Sequence, residues 1–247
     1  MVGAMTIRLG QRVRNEQGRL ARIGGFVCNA TGQVWAVTSH LPFVGSLGVN
    51  ILDTETGQQI GRVEQLPIEV RSHRSIVDAI MLIRLEGIAP NLTSASRRSQ
   101  APAGVAEVAS LLGHELTKFG ATQNSTAKVT TLHSVMHVDY RMSGRKEYYQ
   151  DGIEIELPTG GEIENDEAGT LYLNAAIEAV GILVAASATH AYLAPLEAFL
   201  SRHRLSLVLP SNVGAGLEAR VQAEKAERDN EDPGPEFGPP PKFKRAA

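Results

Sequence analysis

Short runs of apolar and β-branched residues, each closed by turn residues, recur along most of this chain. In the first part they predict strands at 5–9, 11–15, 19–23, 26–28, 33–38, 49–53, 58–64 and 76–85. The turns between them read Glu16-Gln17-Gly18, Asn29-Ala30-Thr31-Gly32 and Thr54-Glu55-Thr56-Gly57. Residues 90–102 are rich in Ser, Ala, Pro and Asn and have no periodicity, which predicts a linker between two halves. Further β-type runs follow at 108–112, 116–119, 126–134 with an extension to 140, 152–157, 170–173, 178–186 and 205–209. Only 195–203 has helical spacing, with Leu196, Phe199 and Leu200 on one face. Many short strands at regular spacing argue for barrels or sandwiches.

From 214 onward the pattern changes. Residues 217–228 have the composition of a short helix, and the acidic and proline-rich stretch after them lacks the apolar area to offset ordering entropy. A flexible tail over 211–247 is expected, serving as a solvated appendage or as a docking segment.

Composition narrows the setting. The formal net charge of the 247 residues is -3, so no basic surface points to nucleic acid or to an anionic membrane. Cys28 is the single cysteine; it rules out an internal disulfide and fits a reducing, cytoplasmic compartment. The first ten residues lack the apolar core of a signal peptide, and the longest apolar run, 179–186, is too short to span a bilayer. With no His-Glu-x-x-His pattern, the scattered histidines His73, His114, His133, His137 and His190 make no case for a metal. Gly24-Gly25 is followed by no Lys-Ser/Thr and is not a phosphate loop. No cofactor is expected.

The stretch from Gly161 to Ser187 carries the chemical argument. It reads as an acidic loop, a tight turn at Asp166-Glu167-Ala168-Gly169, and a strand pair. Earlier in the chain, an apolar strand ends in Val37-Thr38-Ser39-His40, and a second apolar run, Asp78-Ala79-Ile80-Met81-Leu82-Ile83-Arg84-Leu85, opens on a carboxylate. A lone histidine after a strand is ordinarily a surface residue, and an aspartate at a strand entry is ordinarily a cap. Their order and context resemble those of the trypsin-like serine proteases of bacterial intracellular type. In that family a Val-Thr-small-small-His strand end, which this chain matches one small residue short, an Asp-Ile-Ala-Leu-Leu-Arg-Leu strand and a Gly-Asp-Ser-Gly turn follow one another. Lys118-Phe119-Gly120-Ala121-Thr122, Gly181 to Ser187 and Ala191-Tyr192-Leu193-Ala194-Pro195 resemble further pieces of it. The resemblance covers about residues 5 to 210.

The resemblance implies an all-β fold of two six-stranded antiparallel β-barrels, 1–95 and 96–210, the second with a C-terminal helix. It implies His40 as general base, Asp78 as the group that fixes its tautomer, and an oxyanion hole from the backbone amides of Asp166 and Ala168. Val184, Ala185 and Ala186 would pair with the substrate backbone, and Glu162 would stand at the floor of the specificity pocket, although it also belongs to an acidic run that is usually solvated. The implied activity is a serine endopeptidase acting on a protein or peptide, with an activating or regulatory protein as a further partner.

The departures bear directly on that activity. Ala168 holds the nucleophile position, so no acyl-enzyme can form. Asp166 replaces a glycine whose amide serves the oxyanion hole, and its carboxylate is expected to oppose negative charge there. Thr170 and Ser187 lie too far along their strands to substitute. A Ser→Ala replacement in a working protease is one explanation, favoured by the retained His40 and Asp78. The alternative is a natural pseudoprotease that serves as a non-catalytic binding module.

Overall fold

The computed structural model describes residues 6–43, 48–64, 74–94, 100–120, 126–140, 145–158, 163–164 and 166–210. The expected helix at 217–228, the flexible tail and Glu162 lie outside the described residues.

Ten strands form the first part: β1 (Thr6–Leu9), β2 (Arg12–Asn15), β3 (Leu20–Arg22), β4 (Gly25–Cys28), β5 (Val34–Ser39), β6 (Asn50–Asp53), β7 (Gln59–Glu64), β8 (Arg74–Ser75), β9 (Ile80–Leu85) and β10 (Ala89–Ser94). The second part comprises β11 (Gly104–Val105), β12 (Glu115–Lys118), β13 (Thr126–Tyr140), β14 (Arg145–Glu156), β15 (Leu171–Leu173), β16 (Glu178–Ala186) and β17 (His190–Pro195). Helix α1 (Leu196–His203) and β18 (Ser206–Leu207) close the described chain.

In the first barrel, β4-β5-β9-β7-β6-β2-β3 are hydrogen-bonded in that order. β3 and β4 are consecutive pieces of one bent strand: Ile23 N–H donates to the Gln11 carbonyl on one side and Gly24 N–H to the Val37 carbonyl on the other. Counted so, six strands close the ring. The second barrel closes through β16-β15-β12-β13-β14-β17 and back to β16, again six strands. Closure leaves few exposed edges, and inward positions fill with Ile, Leu and Val such as Ile51, Ile60, Leu82, Ile153, Val180 and Leu183, all at most 1% exposed. The fold is thus the expected all-β, two-barrel architecture, with one α-helix among the described residues.

Several local expectations are corrected. The run 76–85 is not one strand. Ile76–Ala79 form a 3-10 turn, capped by a reciprocal Ser75/Asp78 box, and β9 starts only at Ile80. Asp78 is therefore held ahead of the strand, not within it. Part of the expected linker, 90–94, belongs to strand β10, which pairs in parallel with β1 and so satisfies its backbone despite weak periodicity. The run 108–112 holds a 3-10 turn, Val108–Ser110, whose following Leu111 is buried. The runs 126–134 and 152–157 belong to a much longer hairpin, β13–β14, paired from Lys128↔Glu156 out to Tyr140↔Arg145.

Two short strands cross between the halves. β8, from the first half of the sequence, pairs with β14 of the second barrel, and β18 returns to β4 of the first. The chain up to Pro210 clusters as one compact unit. Among the described residues no helix is long and apolar enough to cross a membrane.

Candidate active-site cleft

His40 stands at the end of β5, where its backbone N–H donates to the Ala79 carbonyl (2.8 Å) and a 3-10 turn, Leu41–Phe43, begins. Its ring is met edge-on by Tyr149, with centroids 6.4 Å apart. Tyr149 lies on β14 and is fully buried. A first-barrel imidazole and a second-barrel phenol thus face each other at the seam between the barrels.

The turn that carries Ala168 docks beside the same strand end. The Arg22 N–H donates to the Ala168 carbonyl (2.8 Å), and Gly169 N–H donates to the Leu183 carbonyl (2.8 Å). Gly169 has φ +92, and a Cβ there would collide with the Arg22 carbonyl and Thr38 Oγ1 and lie 3.2 Å from the Ser39 nitrogen. Only glycine tolerates both the dihedral and the approach. Gly24 is its counterpart, since a Cβ on it would strike the Gly169 carbonyl. Two side-chain-free residues therefore let the turn reach Ser39, the residue before His40.

Backbone amides alternate in this turn. Glu167 N–H donates to the Glu164 carbonyl (3.0 Å) and Gly169 N–H to Leu183. Among the described residues, no acceptor takes the N–H of Asp166 or of Ala168. Those two amides are the pair expected to hold an oxyanion.

The two acids of the turn do not confront that pair. The Asp166 carboxylate, 9% exposed, is ion-paired with Arg12 and, at 3.3 Å, with Arg22. This corrects the expected opposition to negative charge: the side chain is turned onto first-barrel arginines and neutralised. Glu167 Oε1 takes a bond from Lys118 Nζ (2.6 Å), and its Oε2 takes one from Glu164 N–H (3.3 Å). Burial first, and the Glu167 charge second, push the neighbouring Tyr172 phenol far up, so it stays neutral.

Asp78 is held from two sides. Its Oδ2 accepts from the Ser75 N–H (3.1 Å) and its Oδ1 from Arg202 (2.7 Å) on α1. These bonds tie the 3-10 turn to the helix. Burial, and then the Arg202 charge, lower the pKa of the adjacent His203, while Asp78 pulls it back up.

On β16, Val184 is buried, Ala185 is part-buried and Ala186 is exposed. β17 pairs with this end along one edge, through Ala185↔Tyr192 and Ala186↔Ala191. On the opposite edge the ladder stops where Leu183 N–H meets the Thr170 carbonyl. Beyond it, among the described residues, no strand covers Val184–Ala186.

Sequence reasoning missed Arg12, Arg22, Tyr149 and Arg202, and it read Lys118 only as part of a motif. The available signal was generic: two acids in a tight turn between apolar strands require cations.

No protein-family model and no curated protein sequence matches the chain. Solved structures do. Thermobifida fusca Protease A superposes with a TM-score of 0.60 at 16% identity, over 82% of this chain and 98% of that one. Cellulomonas bogoriensis chymotrypsin gives 0.58 at 15%, over 83% and 99%. Nocardiopsis protease (NAPase) gives 0.61 at 15%, over 83% and 100%. The chain has the two-barrel fold of the trypsin-like serine proteases.

Proposed function

We propose that this chain uses a trypsin-type cleft to bind an extended polypeptide without cleaving it. The observation that carries this reading is the alanine at position 168. Asp78 accepts from the Ser75 N–H and from Arg202, which joins the 3-10 turn to α1. The retained His40 and Asp78 would otherwise argue for a protease that has lost only its serine. Asp78 has a structural use of its own, so its presence no longer requires catalysis. Ala168 supplies no nucleophile.

Polypeptide as the ligand class is supported by the uncovered edge at Val184, Ala185 and Ala186, which offers backbone groups for an added strand. The reading requires no cofactor. The lone Cys28, unable to form an internal disulfide, supports a cytoplasmic setting.

A second reading is favoured by the two amides of Asp166 and Ala168 and by the placement of the turn beside His40. It is a serine endopeptidase whose nucleophile is exchanged for alanine. His40 would serve as base, and Asp78 as orienter once freed from Arg202. The amides of Asp166 and Ala168 would form the oxyanion hole, and Glu162 the pocket floor.

One variant separates the two. Ala168→Ser, folded by circular dichroism, is treated with a fluorophosphonate probe. The binding reading expects no labelling. Labelling that vanishes on adding His40→Ala overturns it in favour of the peptidase.

A further inference from the structure

We propose that a groove on the outer wall of the first barrel, outside the cleft, binds a free α-amino acid through both of its charges; it does so whether or not the cleft holds a polypeptide.

Strands β7 and β9 build the groove. Arg62 and Arg84 stand directly opposite in their antiparallel register, and Glu64 stands opposite Leu82. Alternate residues of a strand share a face, which puts Arg62 and Glu64 on the side of Arg84. With Val63, Leu85 and Glu86 they line a volume of about 480 Å³, the size of a small-molecule site. Arg84 lies four residues along β9 from Ile80, about 13 Å from the strand end that adjoins His40.

The charges of this groove do not cancel in place. Arg62 Nε pairs with Glu86 Oε1 (3.3 Å), and Glu86 Oε2 accepts from Gln59 Nε2 (2.9 Å). Glu64 Oε2 accepts from the indole N–H of Trp35 (2.6 Å), a neutral donor, and no described residue engages its Oε1. Among the described residues no acceptor takes the Arg84 guanidinium either. One cation and one anion are therefore left uncompensated. They sit diagonally on one face, where Cα atoms are about 7–8 Å apart, and they do not pair with each other. Placing Arg84 directly across from Arg62 is unfavourable for stability alone.

An α-amino acid carries a carboxylate and an ammonium on one carbon. The carboxylate matches the planar fork of Arg84 as a bidentate pair, and the ammonium donates to Glu64 Oε1. Trp35 is 7% exposed on β5, so its indole N–H holds Glu64 from a fixed position and orients the acceptor before the ligand arrives. A polyvalent anion would meet Glu64 and Glu86 along with the arginines, and a simple cation would meet Arg84. A zwitterion suits both signs, and the volume leaves room for its side chain.

The test is saturation-transfer NMR on the full chain at neutral pH, with each standard L-amino acid as probe. Transfer to at least one is expected, and transfer to none overturns the proposal. For the tightest binder, the N-acetyl form lacks the ammonium and the C-terminal amide lacks the carboxylate. Each should bind about tenfold more weakly. Either form binding as well as the free amino acid overturns the proposal. Arg84→Gln and Glu64→Gln, both checked for fold by circular dichroism, should each weaken the free amino acid about tenfold. Glu64→Gln keeps a side-chain oxygen for Trp35. The amide should be indifferent to Arg84→Gln and the N-acetyl form to Glu64→Gln, because each lacks the group that the lost charge would hold. Unchanged binding in both variants, or equal loss across all three ligand forms, would also overturn the proposal.

Discussion

Gly169 is the residue on which the cleft's shape turns. Its φ of +92 lies in the region that favours glycine, and the Arg22 carbonyl and Thr38 Oγ1 occupy the volume that any Cβ would need. Gly169→Ala would combine backbone strain with a clash against backbone, neither relieved by a rotamer change. A loss of roughly 3–5 kcal/mol is expected, read by denaturant unfolding. Ala168 has no such constraint, so Ala168→Ser should stay within about 1 kcal/mol of the parent. Single residues were also where the sequence was most and least readable. His40 and Ala168 stand in local patterns, a strand end and a tight turn, and both appear where those patterns put them. Their supports do not. Arg22 lies 144 residues from Asp166, and Arg202 lies 124 from Asp78. Periodicity says nothing about which distant cation meets a buried acid.

Among elements, α1 and the 3-10 turn Ile76–Ala79 form the joint that decides Asp78's role. Sequence spacing placed α1 correctly, because Leu196, Phe199 and Leu200 make one buried face. The turn was read as strand, because its Ile76, Val77 and Ala79 are apolar and buried like the strand that follows. Only the Ser75/Asp78 cap distinguishes it. Arg202→Ala should cost about 1–2 kcal/mol, between a surface pair and a buried one, since Arg202 is 37% and Asp78 15% exposed. In an Ala168→Ser background, Arg202→Gln frees Asp78. Probe labelling that emerges only in this double variant would support the peptidase reading and mark Arg202 as its brake. His203 gives the joint a pH response. Its folded pKa is below the ordinary 6.5, chiefly through burial, so the unfolded chain binds the proton more readily. The stability that follows from this is full above 6.5 and declines as pH falls through that value toward the folded one. Thermal unfolding should therefore shift to lower temperature between about pH 7 and pH 5, and His203→Gln should reduce the shift.

At the scale of the whole molecule, two barrels follow from the order of short strands, whereas their interlocking does not. β8 and β18 are two residues long, too short for any periodicity, yet each pairs with the barrel formed mainly by the other half of the chain. One continuous apolar cluster joins Phe26, Val37 and Leu82 of the first barrel to Leu171, Ile182 and Val184 of the second and to Phe199 of α1. Separating the barrels would expose that shared surface and strip the pairing of both short strands. The close approach of Gly24 and Gly169 lies on the same seam. The barrels should therefore unfold as one cooperative unit, with the cleft intact until the whole gives way. Trp35, the single tryptophan, reports on the first barrel alone: it sits on β5, 7% exposed, with its indole N–H on Glu64 (2.6 Å). Far-UV circular dichroism reports on both barrels. In urea the two signals should trace one curve with a common midpoint and slope. A fluorescence transition that precedes the loss of ellipticity would mean that the first barrel opens by itself, and a cleft built across both could then be dismantled without unfolding the second.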